Sequence, residues 1–381
     1  MTRELRMLPA DDPRAVLAAL RAALTGDGPA VLPRQAGTVD VAAASVPPPA
    51  EVPRTVALVI ETSGSTGVPK RVALSTDALL ASAAASAGAL GGSGQWLLAL
   101  PAHYVAGAQV LVRSIAAETE PAILPAGHFD PARFGALAAT MTGDARFVSL
   151  VPAQLARLAD AASDDATLLE SLRRFTGILV GGQSLRAGLR DRAAELGLNV
   201  VTTYGSSETS GGCVYDGTPI GNTHARVIDG RIELAGAVLA EGYLGDPERT
   251  TEAFHVDDGL RWYRTGDLGA IADGQVTVTG RADNVIISGG EKVLLDAVEA
   301  VVRECEGFEE AVVIAVENAE WGQVPVVAVA GPAGGSLSAL REYVVRRLSR
   351  AAAPARIHTL DALPMLPSGK PDRVAIGRLL P

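Results

Sequence analysis

Short apolar runs alternate with stretches patterned at helical spacing from Val56 to about residue 280, and this alternation restricts the fold more than any other feature of the chain. The apolar runs are residues 56–60, 96–100, 147–151, 178–180 and 200–203; residues 154–162 and 185–196 are among the helical stretches. Strands alternating with helices build parallel sheets, because each parallel connection must cross back over a sheet face and a helix is the usual way to do so. The expected class is therefore α/β. After Thr218 the runs shorten, and residues 231–234 and 275–279 read as hairpin-linked strands of a β-rich subdomain. After Gly280 the pattern restarts with a strand at 285–287, a helix at 295–303, strands at 311–316 and 326–330, and a helix at 336–348.

A chain of 381 residues exceeds what one core usually holds, roughly 250 to 300 residues. Two domains are expected: a large N-terminal one over 1–280, with helix-flanked sheets and the β-rich subdomain, and a small mobile α+β one over 281–381. Before them, residues 11–25 read as an amphipathic helix opening at Asp11 and Asp12, with Val16, Leu17, Leu20 and Leu24 on one face. A linker follows, Pro-rich over 46–53.

The formal net charge of -10 argues against nucleic acid as the main partner, which needs a clustered surplus of Lys and Arg. Cys213 and Cys305 alone give no disulfide framework and suit a reducing compartment. The N-terminus has no apolar stretch fit for a signal peptide, and no window approaches the ~18 strongly apolar residues of a membrane span, so a cytoplasmic protein is expected. Homo-oligomerisation is left open.

Five strings carry chemistry. Thr62-Ser63-Gly64-Ser65-Thr66-Gly67-Val68-Pro69-Lys70 follows the first strand, and its hydroxyls, glycines and lysine form a loop able to aim donors at triphosphate oxygens. It lacks the Gly-Lys-Ser/Thr ending of a P-loop. Tyr204-Gly205-Ser206-Ser207-Glu208-Thr209 stands at a strand C-terminus, where α/β sheets hold ligands; Glu208 is a candidate magnesium ligand and Ser207 a donor, with a solvated turn as the plain alternative. Tyr263-Arg264-Thr265-Gly266-Asp267 places a carboxylate after a Gly turn, suited to ribose hydroxyls or to its own backbone. Gly280-Arg281-Ala282-Asp283 falls at the composition break, where a hinge would lie. Leu366-Pro367-Ser368-Gly369-Lys370-Pro371 presents a lone lysine able to reach a carboxylate and an α-phosphate.

Taken together and in this order, the strings resemble the adenylate-forming superfamily of acyl-CoA ligases, nonribosomal-peptide adenylation domains and luciferases, from Val56 to the C-terminus. The resemblance implies ATP, Mg2+ and CoA as cofactors, adenylation of a carboxylic acid, and transfer of its acyl group to a thiol. By motif position it implies that Thr62, Ser63, Gly64, Ser65, Thr66, Gly67 and Lys70 hold pyrophosphate oxygens, and that Gly181, Gly182 and Gln183 line the adenine and acid pocket. Tyr204, Gly205 and Ser207 would flank the nucleotide, Glu208 would bind magnesium, and Asp267 and Arg281 would bind ribose. Lys370 would serve adenylation, Asp283 would be the hinge, and Ser288, Gly289 and Gly290 would admit pantetheine in a second orientation.

Within the superfamily, Pro101-Ala102-His103-Tyr104-Val105-Ala106-Gly107, Gly211-Gly212-Cys213-Val214-Tyr215-Asp216-Gly217 and the short chain resemble the branch that activates o-succinylbenzoate for menaquinone synthesis. His103 is then expected to face or gate the acyl pocket, or else to pack at a strand end. Activation of another aryl or fatty acid is the first alternative, and a stand-alone adenylation protein or inactive binder the second. Intact Lys70, Glu208, Asp267 and Lys370 speak for an enzyme, and an end at Pro381 against a fused carrier domain. Two departures stand out: the region before the phosphate loop is short, and Lys292-Val293-Leu294-Leu295-Asp296 lacks the proline many relatives carry.

Overall fold

The computed structural model describes residues 1–35, 47–62, 70–366 and 370–380. They form two compact units: Met1–Ala225 with Glu233–Tyr263 and Asp273–Val276, and Arg226–Ile232 with Arg264–Ala272 and Thr277–Pro381.

The first unit contains two sheets. In the larger, the strands Gly177–Val180, Arg146–Leu150, Gln95–Leu98 and Ala122–Ile123 run parallel, as the alternating pattern requires, and Val200–Ser206 joins them parallel at Ile178–Val180. Gly211–Tyr215 and Thr218–Pro219 then extend it antiparallel. The second sheet runs in the order Gly242–Tyr243, Lys70–Ser75, Val56–Thr62, Ala30–Arg34, Thr2–Pro9, Glu51–Pro53. The strands Thr2–Pro9 and Ala30–Arg34 were not foreseen, and the second occupies the expected linker. Its five residues include a proline and alternate with nothing polar, so no strand period is visible; burial against Thr2–Pro9 decides it.

Three helices, Pro13–Thr25, Thr76–Ala89 and Val105–Ala116, supply the core with Leu20, Leu79 and Leu111, which meet Leu58 and Phe147 from the two sheets. Each of these side chains is at most 1% exposed, so trimming one, as in Leu111→Ala, costs about 2–5 kcal/mol. The first helix opens where the Asp12 side chain accepts from Ala15 N-H and closes on Gly26 at φ 84°; Ser75 caps the second through Ala78 N-H. On the opposite face of the parallel sheet, Phe134, Leu155, Leu158, Leu172 and Phe175 build a separate core.

A further sheet comprises His224–Ile228, Arg231–Ala235, Leu260–Ala272 and Phe254–Asp257, with Gln275–Arg281 paired to Leu260–Ala272. Its turns are Asp229-Gly230, Asp258-Gly259 and Asp273-Gly274, all with positive φ at both residues, as two-residue hairpins with the right-handed strand twist demand. The expected hairpins are thus present. The expected turn at Gly266 is not: that segment is the middle of the strand Leu260–Ala272, with Gly266 at φ 75° kinking it.

In the second unit, Glu291–Leu294, Val285–Ser288, Gly322–Ala330 and Val312–Asn318 are antiparallel neighbours, and Arg356–Leu360 pairs parallel to Gly322–Ala330. Helices Leu295–Val302 and Leu337–Arg347 cover one face through Val298, Leu340 and Val344, and Arg373–Leu379 covers the other through Ile376. The strands 291–294 and 356–360 and the last helix lay outside the sequence expectations. Among the described residues, no helix is long and apolar enough to cross a membrane.

Candidate active site

In the first unit, chemistry gathers where three strands end. Val56–Thr62 and Lys70–Ser75 pair antiparallel, the last pair being Thr62 with Lys70, so these two residues flank the 63–69 string. Ser63, Gly64, Ser65, Thr66 and Gly67 lie outside the described residues. Thr62 Oγ1 is buried and has no hydrogen-bond partner among the described residues. Glu61, one residue earlier, takes Arg34 at 2.7 and 2.8 Å and Arg71 at 2.9 Å, which fastens the paired strands to the neighbouring one.

The third end is Val200–Ser206. Its ladder shifts register between Tyr204 and Gly205, and a Cβ at Gly205 would stand 2.2 Å from the Gly211 carbonyl oxygen, so only glycine permits this approach. A 3-10 turn, Ser207–Thr209, follows, held by Ser206 N-H donating to Thr209 Oγ1 at 2.9 Å. The turn delivers Glu208 to Lys70: Lys70 Nζ donates to Glu208 Oε1 at 2.8 Å, and Tyr243 Oη donates to the same oxygen at 2.9 Å. Lys70 Nζ also lies 5.2 Å from the Tyr243 ring centre. Glu208 is 3% exposed. Burial disfavours its charge, yet the Lys70 ammonium, together with hydrogen bonds from the backbone and Ser206, holds the carboxyl below its ordinary pKa. Burial and the Glu208 charge push the Tyr243 phenol up, so it stays a donor.

Gly181 and Gly182 continue the strand Gly177–Val180, and a Cβ at Gly181 would meet Thr203 Oγ1 at 2.4 Å. Gln183 is exposed, Ser207 is 7% exposed, and Tyr204 is half-buried. His103 is half-buried against the Tyr104 ring, 4.1 Å between centres; its Nδ1 has no partner, and burial lowers its pKa toward the neutral form.

The second unit brings together Asp267, Arg281, Asp283 and Lys370. Arg281 donates to Asp267 Oδ1 at 3.1 Å, to the Thr265 carbonyl at 3.2 Å, and to both oxygens of Asp283 at 3.2 and 3.3 Å. Burial opposes the Arg281 charge, but Asp283 and Asp267 raise its pKa overall. The Lys370 carbonyl accepts the Leu366 N-H at 2.7 Å. The side chain keeps solvent access; desolvation, then Arg281, still lowers its pKa, with Asp267 opposing. Ser288 ends a strand of the hairpin that Gly289 and Gly290 turn, and its Oγ, in a residue 1% exposed, has no partner; Gly289 packs against Trp321.

Residues 7–244 match the sequence model of the family described as AMP-binding enzyme. The chain belongs to that family. Residues 297–370 match the family's C-terminal domain. The probable 2-succinylbenzoate–CoA ligase of Mycobacterium tuberculosis is 40% identical over 333 residues, 85% of this chain and 84% of that protein. The 2-succinylbenzoate–CoA ligase of Geobacillus kaustophilus is 32% identical, over 86% of this chain and 70% of its own. Among solved structures, the o-succinylbenzoate CoA synthetase of Bacillus subtilis, in complex with the acyl-adenylate intermediate OSB-AMP, matches with a TM-score of 0.74 at 26% identity. It covers 86% of this chain and 70% of that one.

For an AMP-binding enzyme, two residues missed in the sequence stand out. Gln109 and Arg113 lie one turn apart on Val105–Ala116, at 0% and 6% exposure. Gln109 lies beside Gly211, and both ends of its amide lack a partner. Arg113 stacks on Trp96 at 4.8 Å and reaches Tyr215 Oη at 3.4 Å, while its Nε has no partner. Among the described residues no carboxylate pairs with it within an ion-pair distance. The signal was available: Gln and Arg at i and i+4 in an otherwise apolar, Ala-Val-Leu helix.

Proposed function

We propose that the chain is an ATP-dependent, AMP-forming acid:CoA ligase acting on o-succinylbenzoate, a step of menaquinone synthesis. The observation that carries the choice of acid is the Gln109 and Arg113 pair. Among the described residues the Gln109 amide and the Arg113 Nε have no hydrogen-bond partner, and buried donors left so cost free energy, of order 1–3 kcal/mol per group, unless a ligand completes them. A fatty acid or simple benzoate spends its one carboxylate on adenylation; o-succinylbenzoate keeps a second, which these donors suit.

The reaction needs two steps. A carboxylate oxygen attacks the α-phosphorus of ATP and pyrophosphate leaves; the CoA thiol then attacks the acyl carbon and AMP leaves. Thr62 Oγ1 and Lys70, with the 63–69 string, are the groups for the pyrophosphate oxygens, and the unpartnered Thr62 hydroxyl supports that role. Asp267 and Arg281 are assigned to the ribose, Gly181, Gly182, Gln183, Tyr204, Gly205 and Ser207 to the adenine and acid pocket, and His103, neutral, to its entrance. The Lys370 ammonium is assigned to the charge that develops between carboxylate and α-phosphate. Asp283 is assigned the hinge, and Ser288, Gly289 and Gly290 the pantetheine contact.

Among the described residues no group of three or more His, Cys, Asp or Glu could cage a metal. Glu208 alone fits magnesium, which commonly takes one or two carboxylates and completes its shell with water and phosphate oxygens. When bound it would neutralise phosphate charge.

Purified protein with ATP, magnesium and CoA should release AMP and form thioester with o-succinylbenzoate well ahead of benzoate or a medium-chain fatty acid. Preference for another acid discards the pathway and keeps the ligase; AMP from no acid discards both.

A further inference from the structure

We propose that Asp296 positions Lys370 for adenylation. This rests on the ligase reading above. Asp296 lies in the first turn of Leu295–Val302, and its carboxylate joins two segments that are far apart in sequence. On one side Oδ2 accepts the Arg281 backbone N-H at 2.7 Å, and both oxygens accept Asn284 Nδ2 at 3.0 and 3.1 Å. The space for it is made by glycine, since a Cβ at Gly280 would stand 2.6 Å from Oδ2. On the other side Asp296 Oδ1 lies 3.8 Å from the Arg373 guanidinium.

Arg373 is itself fixed. It donates to the Val313 carbonyl and to Glu299 Oε2, both at 2.6 Å, and Glu299 is further tied to Arg303 at 2.9 Å and to Val313 N-H at 2.9 Å. Arg373 opens the helix Arg373–Leu379, three residues after Lys370. The Arg281 side chain meanwhile holds Asp267, and both charges act on Lys370. One carboxylate therefore holds, from one side, the backbone that carries the ribose-binding pair and, from the other, the helix that begins three residues after Lys370. Removing it deletes no reacting group but loosens Lys370 relative to Asp267 and Arg281. Misplacement by about 1 Å can cost a reaction on the order of a hundredfold. Only the half-reaction that uses Lys370 should feel it.

The test measures acyl-AMP formation and, separately, thioester formation from supplied acyl-AMP, for the full chain and for Asp296→Ala, Asp296→Asn, Lys370→Ala and the double variants. Expected are a loss of about ten- to a hundredfold in adenylation for Asp296→Ala with transfer nearly unchanged, a smaller loss for Asp296→Asn, which keeps an acceptor for the Arg281 N-H, and no further loss from either when Lys370 is already alanine. Equal loss in both half-reactions, or an undiminished loss in the Lys370→Ala background, overturns the proposal. Should Asp296→Ala fail to fold, Asp296→Asn with and without Lys370 decides alone. Wild-type protein that makes acyl-AMP from no acid instead removes the ligase reading.

Discussion

The two charged clusters solve different physical problems. Around Glu208 the charges are few and matched: one ammonium and one phenol converge on a single oxygen of a carboxylate 3% exposed. Around Arg281 the side chains are open, with Arg281 and Asp283 near half exposure, and one guanidinium serves two carboxylates and a backbone carbonyl at 3.1 to 3.3 Å. A buried, matched pair is rigid because breaking it strands a charge in low dielectric. An open, shared cluster can exchange partners at little cost. The first suits the proposed phosphate site; the second would suit the proposed exchange of partners between half-reactions.

The comparison can be broken most sharply at Lys370. Lys370→Ala is expected to lower adenylation by about two to three orders of magnitude, the scale for one preorganised donor, while transfer from supplied acyl-AMP and the melting temperature change little. A melting temperature that falls with the rate would place Lys370 in the structure rather than in the chemistry.

Lys70→Ala should act in the opposite manner, on stability as well as rate. With Glu208 left buried, a loss of about 2–3 kcal/mol is expected, less than for a fully buried pair because the Lys70 side chain keeps 27% exposure. The sign with pH follows from the Glu208 carboxyl, whose pKa is depressed in the folded protein. The stabilisation is present above its unfolded pKa and lost as pH falls through the folded one, so wild type and variant should converge in acid. Denaturant unfolding at neutral and acid pH measures this.

Arg113→Met, which keeps a long apolar stem on Trp96, tests the acid pocket. Discrimination between o-succinylbenzoate and benzoate should fall about ten- to a hundredfold, the worth of a hydrogen bond to a charged group, with AMP formation from benzoate little affected. An unchanged ratio of kcat/KM values would remove Arg113 from recognition.

The smallest expected effect is on pH dependence. Because Lys370 loses its proton more easily than an ordinary lysine, with a pKa near ~10.4, the adenylation rate should fall on the alkaline side before that value. Lys370→Arg should abolish that limb. Cys213, whose burial pushes its thiol up to about 12, should stay unalkylated throughout the same range.

Much of this was legible in the chain. The parallel sheet follows from the alternation of Arg146–Leu150, Gly177–Val180 and Val200–Ser206 with helical stretches, because period and length are local properties. The hairpin-linked strands after Thr218 are likewise local, since Asp-Gly pairs with positive φ make their turns. Ala30–Arg34 was not legible, since a short buried parallel strand is defined by its neighbours rather than by a pattern of its own. The same holds for the site. Residue type, order and the family resemblance singled out Lys70, Glu208, Asp267, Arg281 and Lys370, although Asp267 stands within a strand and not in the turn its Gly neighbour suggested. That Lys70 and Tyr243 donate to one oxygen of Glu208, that the Gln109 amide and the Arg113 Nε are buried without a partner among the described residues, and that Asp296 ties Arg281 to Arg373 was decided only by the tertiary structure. Sequence carries what a residue can do; burial and the partners brought across long chain separations set its charge, its freedom and what it still lacks.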